Sequence, residues 1–127
     1  MICEVCKERI KHAAKNERDA AIAQHGKFHS PHEAWAVLKE ETEEMCQSVN
    51  RGAFQSLLYT LWTDVKHDKP VNQDKLDEIY NAAFACACEC VQVMAMCLKW
   101  GDGIVDSEEQ KGELRGDEDQ RHGERGA

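Results

Sequence analysis

Proline and glycine are scarce in the first hundred residues. Pro31 and Pro70 are the two prolines of the chain, and Gly26 and Gly52 are the glycines before residue 101. Because both residue types interrupt helices, their scarcity permits long helical segments. The alternation of apolar and polar residues that marks a half-buried strand is also missing. Ala, Glu, Lys and Leu are plentiful and favour helix, so we predict an all-α fold.

Basic clusters and long apolar runs are missing too. The chain has 16 Lys and Arg against 24 Asp and Glu, a net charge of −8, which argues against nucleic acid as the main partner. The most apolar run, residues 82–98, is slightly short for a membrane span and contains Glu89 and Gln92. We therefore expect a buried core helix and no membrane partner. The N-terminus becomes charged at once, unlike a secretory signal, which favours a cytoplasmic protein.

The chain divides into a helical domain, residues 1–100, and a polar tail, residues 101–127. Its 127 residues suit a single domain. The second helix has a clear start at SPHE, because Ser30 is a good N-cap, Pro31 fits the first helical position and Glu33 completes a capping box. The tail is nearly devoid of large apolar residues, so we expect it to be disordered. Helical periodicity predicts four helices, at about 3–25, 31–49, 53–66 and 72–100.

Four glutamates crowd the segment EETEE, residues 40–44, of the second helix. On a helical wheel, Glu41 lies at the edge of the apolar stripe, Glu44 is its neighbour one turn later, and Glu43 faces away. A carboxylate at the edge of a core is costly unless its charge is compensated. A solvated acidic face is the simplest interpretation of this segment alone. The predicted apolar stripe consists of Ala34, Trp35, Leu38, Met45, Cys46 and Val49.

Glu89 lies in the most apolar part of the fourth helix, between FACAC and CVQVMAMC. A helix that is apolar all round is expected to be buried, and an unpaired buried glutamate is rare. Asn81, Gln92 and Lys99 share the side of the helix that carries Glu89. Protonation or a salt bridge would satisfy this glutamate. Together with the acidic edge of helix 2, however, it suggests carboxylates that converge in a bundle core.

Converging carboxylates need a counter-charge. Two of them about 5 Å apart repel by roughly 3 kcal/mol at an effective dielectric constant of about 20. Such repulsion is a large part of the roughly 5–15 kcal/mol that stabilises a domain. A divalent cation converts the repulsion into binding energy, and a set of oxygen ligands favours Mg²⁺ or Mn²⁺ over Zn²⁺.

Two motifs now stand in order along the chain. EETEE provides E-E-x-x-E through Glu40, Glu41 and Glu44, and ECVQ, residues 89–92, stands where E-x-x-D is expected. With this order and helical context, the chain resembles the all-α nucleotide pyrophosphohydrolases: MazG-like proteins, dimeric dUTPases and phosphoribosyl-ATP pyrophosphatases. SPHEAWAVLKEETEE is especially similar to small MazG-like proteins of phages and prophages. The resemblance implies a four-helix bundle that forms a homodimer or homotetramer in a bacterial cytoplasm.

The resemblance also implies a reaction and its residues. The reaction is Mg²⁺-dependent hydrolysis of a nucleoside triphosphate to the monophosphate and pyrophosphate. Glu41, Glu44 and Glu89 would ligate Mg²⁺ (or Mn²⁺), and Glu40 would complete the catalytic site or position the attacking water. Gln92 replaces the aspartate of the pattern. Its amide oxygen can ligate Mg²⁺ without adding charge, or the side chain can orient Glu89.

Three residues are candidate substrate contacts. Lys99 can bind phosphate or simply complement the negative end of helix 4. Trp35 can stack on the base, or pack in the core or in a subunit interface. Asn81, on the polar side of helix 4, is the third candidate.

Two other functions are open from the sequence. Gln92 fits a non-catalytic assembly or regulatory protein that retains the fold. The seven cysteines, which include the C-x-x-C pair Cys3 and Cys6, fit a zinc or redox protein, although a zinc site needs about four ligands. Small packing roles in the core are the plainer expectation for Cys46, Cys86, Cys90 and Cys97.

Overall fold

The computed structural model describes residues 1–105, in which four α-helices account for nearly all of the regular structure. The predicted all-α class is confirmed for this part of the chain, and the predicted helix ends agree with the observed ones to within two residues. The helices are α1 (Glu4–His25), α2 (Pro31–Arg51), α3 (Phe54–Lys66) and α4 (Gln73–Gly101).

Local signals explain where α1 ends and α2 begins. Gly26 follows α1 with φ of 73°, a left-handed conformation that glycine adopts without strain. At the start of α2, the Ser30 Oγ accepts a hydrogen bond of 3.1 Å from the backbone N–H of Glu33. The Glu33 carboxylate in turn accepts one of 2.9 Å from the backbone N–H of His29. Side chains thus satisfy amides that the helix leaves unpaired, and they fix the turn between α1 and α2.

The longest helix, α4, is the centre of the packing. Helices α1 and α2 both pack extensively on α4, and α3 packs on α4 over a smaller area. Two alanines, Ala34 on α2 and Ala95 on α4, are fully buried in one cluster with Phe28 and Met96. Small residues at this contact let the two helices approach closely, which brings the side chains beside Ala34 near α4.

The last described residues return to the loop between α1 and α2. The backbone N–H of Val105 donates a hydrogen bond of 2.8 Å to the carbonyl oxygen of Phe28. Ile104 pairs with Phe28 in an isolated parallel bridge and packs against the core cluster. Packed structure therefore continues past the predicted domain end at residue 100. The rest of the predicted tail, residues 106–127, lies outside the described residues.

Burial of α4 differs from the expectation of a core helix. Ala95, Met96 and Lys99 are its buried residues, whereas Phe84 and Tyr80 are 63% and 72% exposed. The short α3 buries no residue of its own and packs on α4 less than α1 and α2 do, which leaves much of α4 open. By length and composition α4 could also cross a membrane, a weak criterion that core helices of soluble proteins meet as well.

Helix α2 is turned relative to the predicted stripe. Ala34 is buried and Leu38 and Met45 are half-buried, as expected, but Trp35 is 58% exposed. Val49 and Cys46 are also exposed, so the prediction that they pack in the core is wrong. The packed face is centred on the side of the wheel that carries Glu41, with Ala34 in the buried cluster that also contains Ala95. Cys90 and Cys97 are exposed and Cys86 is half-buried, so these cysteines are not core residues either.

Candidate functional site

Three carboxylates from two helices lie together. Glu41, Glu44 and Glu89 each offer an oxygen atom, and these atoms lie within 4.8 Å of one another. Glu41 and Glu44 are three residues apart, so they share one face of α2. The packing of α4 against that face brings Glu89 to them. The structure thus shows the convergence of helix 2 and helix 4 acids that the sequence predicts, although Glu89 is half-buried rather than fully buried.

The charge of this group is not compensated within residues 1–105. None of the salt bridges there involves Glu41, Glu44 or Glu89. Burial raises the pKa of Glu41, and the neighbouring charges of Glu44, Glu89 and Glu40 raise it further. Glu43, on the opposite side of α2, is an ordinary surface charge paired with Lys39. Repulsion is therefore concentrated at the face of α2 that meets α4.

The donor set fits Mg²⁺ or Mn²⁺. All three candidate ligands are carboxylates, and hard divalent cations prefer oxygen. The oxygens lie close enough for small side-chain rotations to bring them around one ion, since Mg²⁺ ligands stand about 2.0–2.1 Å from the metal. None of the three forms a salt bridge in the described part of the chain, and their negative charge would attract such an ion. The residues present therefore fit a bound divalent cation.

A first cleft of about 660 Å³ opens beside Glu44 and Glu89. Arg51, at the C-terminal end of α2, lines it and places a cation on the same side as these carboxylates. The Arg51 guanidinium contacts the Gln47 side chain at 3.5 Å. Sequence reasoning missed Arg51, although its place seven residues after Glu44 on α2 predicts the same face. The remaining lining residues are Gln47, Ser48, Gly52, Ala82 and Ala85.

A second cleft of about 570 Å³ lies between α1, α2 and α4, and Glu41 lines it. Lys99 lines it as well and is only 5% exposed. Its ammonium nitrogen lies 4.2 Å from the centre of the Phe28 ring, a cation–π contact. No carboxylate of the described residues forms a salt bridge with it. Lys99 is therefore a buried cation at the wall of a cleft, more than a charge at the end of a helix.

Gln92 also lines the second cleft, where it contacts α1. Its Nε2 donates a hydrogen bond of 3.2 Å to Oε2 of Glu17. The amide nitrogen of Gln92, a predicted metal ligand, is thus hydrogen-bonded to Glu17 on α1. Sequence reasoning missed Glu17, because the register of α1 against α4 leaves no signal in either segment alone. The pair stands close to the carboxylate group, since Glu41 and Gln92 share the cleft.

The remaining predicted residues lie at varied distances from the two clefts. Glu40 is exposed and adjoins Glu41 in sequence. Trp35 is exposed and lines neither cleft, so base stacking by Trp35 would require a second chain or a movement of the helix. Asn81 is exposed on α4, next to Ala82 of the first cleft.

No protein-family model, curated protein or solved structure matches this chain. Its candidate site is therefore interpreted from the positions and chemistry of its own residues.

Proposed function

We propose that this chain is a Mg²⁺-dependent nucleoside triphosphate pyrophosphohydrolase that releases pyrophosphate from (d)NTPs. The observation that supports the proposal is the group formed by Glu41, Glu44 and Glu89, three carboxylates from two helices that lie beside two clefts and form no salt bridge within residues 1–105. Each cleft falls within the roughly 300–1,000 Å³ of small-molecule sites. The proposal includes the bundle of the all-α NTP pyrophosphatases and a bacterial, phage-linked cytoplasmic setting.

In this proposal the three glutamates hold the cation. Bound Mg²⁺ supplies positive charge that offsets the triphosphate and lowers the pKa of water. Glu44 and Glu89 line the first cleft and Glu41 lines the second, so a metal held among them is accessible from both. Gln92 is assigned a supporting role, since its side chain is already bonded to Glu17.

Two cations of the chain are placed to bind phosphate oxygens. Arg51 lines the first cleft and can bind an oxygen pair with its planar fork of N–H donors. Lys99 lines the second cleft as a buried point charge, where a low dielectric strengthens its attraction for phosphate. An acidic chain with these two cations beside its carboxylates can accept an anionic substrate together with a divalent cation.

Glu40 is the proposed proton acceptor. It is exposed, and it adjoins Glu41 without belonging to the group of three carboxylates. A carboxylate that stays free of the metal can take a proton from the attacking water, and general-base catalysis of this kind contributes about 10²–10⁴-fold. Glu41, Glu44 and Glu89 would instead act as ligands of the cation.

We also propose that the working form is a homodimer or homotetramer. On α3, Leu58, Trp62 and Val65 are exposed at helical spacing, and on α4 Tyr80 and Phe84 are exposed four residues apart. Exposed large apolar residues in this number are typical of interaction surfaces. A second copy of the chain would bury them and could place Trp35 or Asn81 near a bound base.

A substrate panel tests the proposed activity. Purified protein is incubated with each common NTP and dNTP, with Mg²⁺ and with chelator, and pyrophosphate, phosphate and mononucleotide are quantified. We expect equal amounts of pyrophosphate and monophosphate from at least one substrate, and only with the divalent cation. Release of inorganic phosphate alone, or turnover that persists in chelator, would contradict the proposal.

The hydrogen bond between Gln92 and Glu17 favours one alternative, a non-catalytic assembly or regulatory protein. In that case the amide holds α1 against α4 and serves no metal. Such a protein would bind Mg²⁺ or nucleotide without turnover, or bind neither. Isothermal titration with Mg²⁺ and a non-hydrolysable NTP, run beside the activity panel, separates the two functions.

A further inference from the structure

The N-terminus of α1 holds two cysteines in contact. Cys3 is the N-cap residue of α1, and Cys6 lies in its first turn. Their Sγ atoms are 3.2 Å apart and share a hydrogen bond. Cys3 is exposed and Cys6 is half-exposed, so a dissolved reagent can reach the pair.

This pair differs from the other five cysteines of the chain. No other two cysteines are hydrogen-bonded to each other in residues 1–105, which include all seven. Cys86 accepts a hydrogen bond of 3.5 Å from the Ser48 hydroxyl. Cys88 and Cys90 are two residues apart on α4 and therefore point to different sides of the helix. Cys86 and Cys90 are four residues apart on one face of α4, but they are not hydrogen-bonded to each other, so within residues 1–105 the Cys3–Cys6 contact is the one that favours closure to a disulfide.

The two thiols are also electrostatically distinct. Hydrogen bonding between the two thiols lowers the pKa of Cys3, and the amides of the first turn of α1 act in the same direction. The same hydrogen bond raises the pKa of Cys6. Cys3 is therefore the better nucleophile at neutral pH, whereas Cys6 stays protonated until it attacks the Cys3 sulfur.

We propose that Cys3 and Cys6 form a redox-active dithiol that closes to an intrachain disulfide in exchange with small-molecule disulfides such as oxidised glutathione. Residues three apart in a helical turn bring their Cα atoms within the roughly 4.4–6.8 Å that a disulfide spans. The sulfurs need to approach by little more than 1 Å to reach the bond length of about 2.05 Å. The disulfide can therefore form without unfolding of α1.

The exchange balances without a further reactant. The Cys3 thiolate attacks one sulfur of the oxidised glutathione, and the bond between the two glutathione sulfurs breaks to release one glutathione thiolate, which takes a proton. Cys6 then loses its proton and attacks the Cys3 sulfur, which releases the second glutathione. Two thiols of the protein are oxidised to one disulfide, and one small-molecule disulfide is reduced to two thiols.

This dithiol is independent of the proposed hydrolase site. Glu17, the residue of α1 nearest its N-terminus that lines the second cleft, lies eleven residues after Cys6, about 16 Å along the helix. Oxidation of the pair is therefore expected to leave pyrophosphate release unchanged.

A single tryptic peptide reports the redox state of Cys3 and Cys6. Trypsin cleaves after Lys7 and releases residues 1–7, which contain Cys3 and Cys6 and no other cysteine. The full chain is equilibrated in buffers of increasing oxidised-to-reduced glutathione ratio, quenched with an alkylating reagent and digested. Mass spectrometry then counts alkylated, glutathionylated and internally bonded forms of this peptide and of the peptides that contain Cys46 and Cys86.

We expect residues 1–7 to change from doubly alkylated to internally bonded with no dependence on protein concentration. The closed form should exceed the mixed glutathione disulfide by at least about tenfold, because the neighbouring thiol acts at a high effective concentration. In C6S the mixed disulfide at Cys3 should accumulate instead, and C3S should react more slowly than C6S. Glutathione on both cysteines, disulfides between chains, or a peptide that stays reduced while Cys46 is modified would each overturn the proposal.

Discussion

The carboxylate of Glu89 on α4 lies within 4.8 Å of the carboxylate of Glu41 on α2. Neither forms a salt bridge within residues 1–105, and burial together with neighbouring charge raises the pKa of Glu41. A protein that serves only as a folded scaffold gains nothing from this repulsion. The proposed divalent cation would offset this repulsion by joining the two helices.

Loss of charge at the carboxylate group should abolish turnover. We expect E41Q and E89Q each to reduce pyrophosphate release by more than the roughly 10–100-fold typical of lost outer-shell partners of a metal, because each would replace a charged ligand with a neutral one. E43Q is the matched control, since Glu43 lies on the same helix and pairs with Lys39 on the far side. Steady-state rates at saturating Mg²⁺ measure the effect. Equal activity in E41Q, E89Q and E43Q would refute the site.

E41Q should also stabilise the metal-free protein at neutral pH. A raised pKa means that the fold favours protonated Glu41, so its contribution to stability is full below the pKa of the unfolded chain and is lost as pH rises through the folded pKa. Glutamine resembles the protonated acid. E41Q should therefore exceed the wild type in chelator at pH 7 by a fraction of a kcal/mol to about 1 kcal/mol, since partial exposure screens the charges.

Acid and Mg²⁺ should each remove this difference. Urea unfolding in chelator is expected to give equal stabilities for E41Q and the wild type at a pH below the ordinary range of a glutamate, where both side chains are neutral. Added Mg²⁺ at pH 7 should stabilise the wild type and not E41Q, because binding to the folded state raises stability by mass action. A pH-independent gap between the two proteins would show that packing, and not charge, separates them.

Replacement of Gln92 by aspartate would restore the E-x-x-D motif, but we expect it to destabilise the protein. The new carboxylate would stand beside Glu17, which now accepts a hydrogen bond from Gln92. We expect Q92D to destabilise the metal-free protein by about 0.5–1.5 kcal/mol, because this solvent-exposed hydrogen bond is lost and two like charges repel each other instead. E17Q/Q92D should recover much of the loss, which a double-mutant cycle in urea detects. Additive effects would mean that the two side chains do not interact in solution.

A charge on the exposed face of α3 should disrupt assembly. Trp62 is 54% exposed, and W62E would place a carboxylate in the proposed subunit interface. We expect sedimentation equilibrium to show an oligomer for the wild type and a smaller species for W62E. V5E is the matched control, because Val5 is an exposed apolar residue on α1. A wild-type monomer at all concentrations would exclude the oligomer.

Helix positions were largely predictable because local residues determine them. Ser30, Pro31 and Gly26 fix the turn between α1 and α2 through capping and backbone conformation, and these effects act within a few residues. The approach of Glu89 to Glu41 was also predictable, since both acids occupy places on helical faces where an unpaired charge needs a partner. Local physics therefore accounts for the helices and for the charge pattern of the site.

The rotation and register of the helices were less predictable. Trp35 and Val49 belong to the apolar stripe on a helical wheel, yet both are exposed, while Ala34 is buried in the core cluster. The bond between Gln92 and Glu17 depends on how α1 slides along α4, which no single segment encodes. The exposure of Tyr80 and Phe84 follows from the small area that α3 covers. These features belong to the tertiary packing, where small residues at a contact outweigh the pattern of large ones.

The central place of α4 has a consequence for how the protein forms in the cell. Within residues 1–105 every extensive contact between helices involves α4, and α1, α2 and α3 touch one another little. During synthesis, α1, α2 and α3 therefore emerge from the ribosome without the surface that they need. Stable packing should therefore wait until α4 has left the ribosome. A nascent chain stalled near residue 72 should be protease-sensitive, whereas the released chain should resist digestion.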